Sequence, residues 1–315
     1  MEERNYNYDV LRALAITFVV LIHSCGIVME HQDVPAVFWL TSVLQGIINT
    51  GVPLFLMLSG ALLLGREEPL GAFCKKRFPR ILLPFLCWSL LFYPLLFHPL
   101  GLHSLWDYPY RLLTGGIHGV YWFVYTIIGL YLLTPVLRLA LREKSVGLWL
   151  GGLTLALFLL HQFFPSLPTV EGIWIPDIQH LLCFVGGFLM VRHLKEWKWI
   201  RPVSLAVAAV FFLLQVASAR WYPNEFSFYV FTAAGMFGWM VSWKPLKPRK
   251  LVTFMSQASY GIYLSHIAVV SLIVRFYGDW MPVALTPFTT ALGTLALTLP
   301  MLWILRKIRL QKFFM

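Results

Sequence analysis

The chain has 315 residues, of which 59% are hydrophobic and 12% charged, and it carries a formal net charge of +11. Soluble domains average about 25% charged residues, so this composition, with a mean hydropathy of +0.72, excludes a water-soluble globular domain, a disordered chain, a collagen, a coiled coil and a disulfide-stapled secreted domain. Apolar runs of about eighteen residues or more recur along the chain and predict an all-α polytopic membrane protein, with one membrane-embedded domain over residues 1–315 and no separate soluble domain.

The hydrophobic pattern predicts ten transmembrane helices, at about 8–29, 36–64, 81–100, 119–139, 147–164, 179–194, 203–219, 226–243, 252–277 and 285–305. No small-residue cleavage site follows the first run, so it is expected to be retained as a span rather than removed as a signal peptide. That span contains Arg12 and His23, whose separation corresponds to three helical turns plus about 20° and a rise of about 16 Å. The two share a face, with Arg12 near one membrane boundary and His23 past the midplane. Separately, Arg12 suits snorkelling to headgroups and His23 an interhelical hydrogen bond; together on one face they suggest a polar path through a bundle. The second span is too long for a straight crossing, and Gly51-Val52-Pro53 is expected to kink or break it. Ser59-Gly60 beyond it suits small-residue packing.

Lys75-Lys76-Arg77-Phe78-Pro79-Arg80 precedes the third span. The run serves as a topogenic stop. Arg77 and Arg80, at i and i+3, also face the same way, and paired guanidinium forks at a helix N-terminus suit phosphate. Residues 101–118 form a loop mixing aromatics with His103, Asp107, Arg111 and His118, and residues 165–178 form a second, proline-rich loop. Between them, Tyr121, Trp122, Phe123 and Tyr125 open the fourth span, where they fit an interfacial aromatic belt or stacking against sugar rings. In the ninth span Ser259, Tyr263 and His266 follow an i, i+4, i+7 pattern on one face. Such groups either hold helices together or act on a substrate.

The orientation follows from the basic residues. With the N-terminus in the cytoplasm, 22 of the 25 Lys and Arg residues fall on the cytoplasmic side, leaving Arg111, Arg220 and Arg275 outside. Ten helices with both termini cytoplasmic satisfy the positive-inside rule, which accounts for the basic excess without invoking nucleic acid. Cys25, Cys74, Cys87 and Cys183 show neither CxxC nor metal-ligand spacing, so neither a disulfide framework nor a metal is expected. The absence of P-loop, HExxH and GxSxG motifs argues against a membrane ATPase, a metalloprotease of the HExxH type and an α/β-hydrolase.

Five segments, in order, resemble the acyltransferase-3 family of integral membrane acyltransferases. Arg12 and His23 match the family's first-helix R/K-x10-H signature, and Pro53 to Gly60 resembles its F-F-x-x-S-G segment, with Leu56 in place of the second aromatic. Arg77-x-x-Arg80-Ile81-x-x-Pro84 resembles the R-x-x-R-x-x-x-P start of the third helix. Tyr121-Trp122-Phe123 lies where the family has H-L-W-F/Y-L, with His118 displaced by a few residues and therefore not carried over. Ser259-Tyr260-Gly261-Ile262-Tyr263-Leu264-Ser265-His266 matches S-Y-x-I-Y-L-x-H.

The resemblance implies an O-acyltransferase of the bacterial inner membrane that moves an acyl group, usually acetyl, from cytoplasmic acetyl-CoA to a hydroxyl of a cell-envelope saccharide or lipid-linked glycan. A chain ending soon after the tenth span is expected to be of the stand-alone type. Arg12, Arg77 and Arg80 would hold the donor's phosphates, and His23 would act as general base. Trp122, Tyr125, Ser259, Tyr263 and His266 are candidate oxyanion or substrate contacts. A saccharide transporter or flippase uses the same kind of polar, kinked bundle and is the alternative reading. A bare scaffold leaves the alignment of Arg12 and His23 unexplained.

Overall fold

The computed structural model describes residues 5–31, 33–97, 107–164, 174–219, 227–277 and 281–315, and among them there is no β-strand. His103, Arg220 and most of the 165–178 loop lie outside the described residues. The elements run α1 (Tyr6–Ser24), α2 (Gly26–Met29), α3 (Pro35–Ile48), α4 (Gly51–Leu63), α5 (Leu70–Phe97), α6 (Asp107–Thr114), α7 (Trp122–Ala140), α8 (Lys144–Phe163), α9 (Ile178–Leu189), α10 (Ile200–Ser218), α11 (Tyr229–Val241), α12 (Lys250–Tyr277), α13 (Thr286–Lys307) and α14 (Gln311–Phe314).

Among the described residues seven helical segments are long and apolar enough to cross a membrane: Tyr6–Ser24, Pro35–Leu63, Gly119–Ala140, Lys144–Phe163, Ile200–Ser218, Lys250–Phe276 and Val283–Lys307. Two shorter apolar helices, Ile178–Leu194 and Tyr229–Val241, and the 28-residue α5 overlap the other three expected spans without meeting that criterion.

Local chemistry explains the boundaries that matter for the site. Helix α1 starts at Asn5, whose side chain accepts a hydrogen bond from the Asn7 amide at 3.0 Å, and Asp9 in the first turn complements the helix dipole. Asn7 then ties this end of α1 to the α11–α12 connection, donating to Trp243 O at 2.9 Å and accepting from Leu246 N at 3.0 Å. The expected break in the second span falls between Ile48 and Gly51. Pro53 sits in the first turn of α4, where its missing N–H costs no helical bond. Helix α5 keeps its path through Pro79, Pro84 and Pro94.

Helix α1 is central, packed on α12, α4 and α13, while α4 packs on α9 and α10 on α11. The α4–α9 crossing depends on two glycines: a Cβ on Gly60 would overlap Phe184 O, and one on Gly187 would overlap Met57 O. Close backbone approach at small residues is the usual way helices associate where no hydrophobic force separates them from lipid. The core holds Leu11, Ile16, Leu54, Tyr121, Tyr125, Phe184 and Phe237, whereas Leu132, Val136, Leu139, Leu205, Leu213 and Leu292 point outward. In water that apolar exterior would drive aggregation; in a bilayer it is the surface that meets hydrocarbon. The protein is a multi-pass membrane protein.

Candidate active site

Helices α1, α4, α5, α7 and α12 enclose a cavity of about 330 Å³. Its two ends differ in chemistry. One end carries Arg12, Arg80, Tyr131, Ser256 and Gln257; the other is walled by Val19, Val52, Phe55 and Phe123, with Ser259 and Tyr263 along the α12 side. The Ser256 hydroxyl donates to Asp9 Oδ1 at 2.7 Å, joining α12 to α1. Arg12 also lines a second, surface cavity of about 730 Å³, so it stands where the interior space meets the outside at that end of the bundle.

One helical turn beyond Val19 on α1 comes His23, and one turn beyond Tyr263 on α12 comes His266. Their ring centroids are 5.0 Å apart. His23 is half-buried, and His266 has no exposed surface. Nδ1 of His266 bonds to the carbonyl oxygen of Tyr263. A carbonyl only accepts, so Nδ1 carries the proton and Nε2 is left as a lone pair. That Nε2 is buried and has no hydrogen-bond partner among the described residues. A buried imidazole with one nitrogen held by a carbonyl and the other open is arranged to accept a proton.

His118 completes the cluster from outside the span. Its Nδ1 accepts from the Val120 amide at 3.2 Å, starting the 3-10 turn Gly119–Tyr121. It lies within electrostatic reach of both His23 and His266, and burial holds its own imidazole below the ordinary histidine range. The family-like motif spacing had set this residue aside. It closes the 101–118 loop just before the aromatic start of α7, a signal that needs no fixed offset from Trp122.

The other candidates separate. Arg80 lines the cavity, but Arg77 turns to Glu68, at 3.9 Å, which also pairs with Arg138 at 3.1 Å. Burial alone would raise the Glu68 carboxyl; the Arg138 hydrogen bond and the charges of Arg77, Arg138 and Lys76 hold it below the usual range. Of the two, only Arg80 lines the cavity, and the loop between α4 and α5 supplies Glu68 as an ion-pair partner for Arg77. Both still lie within electrostatic reach of the Tyr131 hydroxyl, as does Arg12. Tyr131 is a residue the sequence reading missed, although it follows Val124 and Ile127 at helical spacing on the cavity face of α7. Arg80 also lines a neighbouring cleft of about 340 Å³ with Arg306 and Lys312, and Arg306 donates to Gln257 at 2.9 Å.

The hydroxyls of Tyr125 and Tyr263 are engaged with backbone: Tyr125 donates to Leu112 O and Tyr263 to Val120 O. Ser259 remains a hydroxyl on the cavity wall. Trp122 faces elsewhere, stacked on His180 at 5.2 Å in a separate pocket. No group of three or more His, Cys, Asp or Glu suited to a metal occurs among the described residues.

A further cavity, about 740 Å³, lies among Arg66, Glu68, Arg138, Arg142 and Arg192. It is lined by the α4–α5 connection with parts of α5, α7 and α9, and it shares no lining residue with the interior cavity.

A family model described as an acyltransferase domain matches residues 5–307. No curated protein and no solved structure matches the chain.

Proposed function

Because the chain belongs to the acyltransferase-3 family, we propose that it transfers an acetyl group from cytoplasmic acetyl-CoA to a hydroxyl of an envelope saccharide or lipid-linked glycan. In this reading the chain crosses the bacterial inner membrane ten times with both termini inside. The observation that carries it is the single cavity with guanidinium groups at one end and an imidazole pair just beyond the other.

The residues fit such a donor. Coenzyme A has phosphates at one end and a thioester at the tip of a long, thin arm. Arg12 and Arg80 stand where the phosphates need cations, with Arg306 and Lys312 beside Arg80, and the charge of Arg77 reaches the same end at Tyr131. Val19, Val52, Phe55 and Phe123 form a narrow apolar passage suited to the arm.

The chain's own task is proton transfer and charge stabilisation. His23 is the half-buried member of the pair and the one an acceptor hydroxyl reaches. As the acceptor oxygen attacks the thioester carbonyl, its proton passes to the imidazole pair, with His266 Nε2 as a second lone pair beside it. The new ester C–O bond forms, the C–S bond breaks, and the departing thiolate takes the proton back. Ser259 is the hydroxyl from the sequence-derived set that faces the cavity.

The test is acetyl-CoA binding by purified protein in detergent. Saturable binding should weaken about tenfold in Arg80→Ala, the loss of one charge-assisted contact worth roughly 1.5 kcal/mol. A well-folded wild type that binds neither acetyl-CoA nor CoA would overturn the proposal. It would favour translocation without acyl transfer, a reading supported by Val52 lining both this cavity and a pocket at the His23 end.

A further inference from the structure

The donor chemistry leaves one polar pocket unused. It measures about 320 Å³ and opens where α3 breaks into α4, at the His23 end of the bundle. Gln45 contributes from the last turn of α3 and Asn49 from that break, Gln179 and His180 from α9, Gln215 from α10 and Tyr229 from α11. These polar groups come from four separate stretches of the chain and converge on one space within a membrane protein, where a polar group without a partner is costly.

The lining specifies the ligand's chemistry. It contains four carboxamides and no carboxylate, ammonium or guanidinium. A carboxamide both donates and accepts, which matches a hydroxyl. An anion would instead be met by Arg or Lys. Asp177, within electrostatic reach of His180, further disfavours a carboxylated ligand. Three of the amides are already held in place: Gln179 Nε2 donates to the Tyr229 hydroxyl at 3.1 Å, Gln215 Oε1 accepts from the Tyr229 amide at 3.1 Å, and Gln45 Nε2 donates to Met29 Sδ at 3.4 Å. The other half of each carboxamide is left for a ligand. His180 stacks on Trp122, and its Nδ1 is buried without a hydrogen-bond partner among the described residues.

The pocket also adjoins the reacting groups. Val52 lines both it and the donor cavity, and Ile22, next to His23 in the chain, lines its wall. We infer that this pocket is the acceptor site and that it takes an uncharged, hydroxyl-rich ring, a neutral pyranose, oriented by Asn49, Gln179 and His180 with one hydroxyl toward His23. The assignment as acceptor rests on the transferase reading above; the assignment of ligand chemistry rests on the pocket itself.

Saturation-transfer NMR on the purified chain in lipid nanodiscs tests it, with the methyl glycosides of glucose, galactose and N-acetylglucosamine as neutral probes and methyl glucuronide as the charged one. At least one neutral glycoside should receive saturation, the glucuronide much less. The neutral signal should fall about fivefold or more in Asn49→Leu and in Gln179→Leu, the effect of one lost hydrogen bond. Acetyl-CoA binding, measured alongside, should be unchanged in both variants, which also shows that they fold. Undiminished glycoside signal in both folded variants, equal transfer to the glucuronide, or no transfer to any neutral probe would overturn the inference. A wild type that binds a glycoside here but not acetyl-CoA would sink the transferase reading alone and leave the sugar pocket standing.

Discussion

Helices α10 and α12 are both long and apolar enough to span a membrane, but half of the most apolar stretch of α12 is buried inside the protein against 11% of that of α10. Helix α12 holds Ser256, Ser259, Ser265 and His266 in buried positions along the faces it turns to α1, α5 and α13. Helix α10 turns Leu205, Val210 and Leu213 outward and packs mainly on α11. Two of its polar groups are directed inward: Ser204 lies against Gly235 and Gly238 of α11, and Gln215 accepts from Tyr229. Hydropathy therefore reports that a helix crosses, while the position of its polar groups reports which side faces protein, because lipid offers no hydrogen-bond partner. The same rule locates chemistry, since α12 carries more polar groups than packing requires.

The strongest way to break this comparison is at the imidazole pair. If the polar face of α12 serves chemistry rather than helix association, His266→Ala should lower acyl transfer about 10²- to 10⁴-fold, the usual range for a lost general base, and His23→Ala should do the same. Acetyl-CoA binding should survive both substitutions because Arg12 and Arg80 are untouched. Transfer of labelled acetyl measured beside donor binding separates the two. Full transfer by folded His266→Ala would return that residue to a packing role.

A smaller effect is expected at Ile262, which α12 buries completely between the same polar positions. Ile262→Ala should cost about 2–5 kcal/mol of stability, the range for a large aliphatic side chain truncated in a packed core. Thermal unfolding in detergent, followed by tryptophan fluorescence, reads this directly. A shift near zero would mean that this stretch of α12 is less tightly enclosed than its burial indicates.

Much of the site was legible before any coordinates. The shared face of Arg12 and His23 follows from helical arithmetic, whereas the interruption expected at Gly51-Val52-Pro53 falls just before it, at Asn49-Thr50, with Pro53 inside the first turn of α4. The i, i+4, i+7 arrangement of Ser259, Tyr263 and His266 likewise fixed one face of α12, and two of the three line the cavity. The divergence of Arg77 from Arg80 was not legible, because it depends on Glu68 in a loop whose path no periodicity sets. The proximity of His118 to the imidazole pair depends on how a non-helical segment turns into α7. The acceptor pocket was the least legible part. Gln45, Asn49, Gln179 and Gln215 are isolated amides in sequence and become a site only when the α3–α4 break meets α9, α10 and α11.

The smallest expected effect lies on α10, and its smallness is informative. Leu213→Ala removes as much side chain as a core truncation, yet Leu213 is mostly exposed, so little of the described protein packs around it to leave a cavity behind. In a bilayer, lipid chains fill the space in the folded protein, and the transfer of apolar surface from water does not enter, because that surface is never returned to water in either membrane-embedded state. Stability should therefore change by no more than about 0.5 kcal/mol, as for substitutions away from packed features. Comparing the melting shifts of Leu213→Ala and Ile262→Ala in the same lipid nanodiscs isolates the packing term, since both substitutions truncate a branched aliphatic residue of equal carbon number to Ala. Equal shifts would mean that α10 has a protein partner over this face in the membrane, and would turn its outward leucines from a lipid-facing surface into an interface.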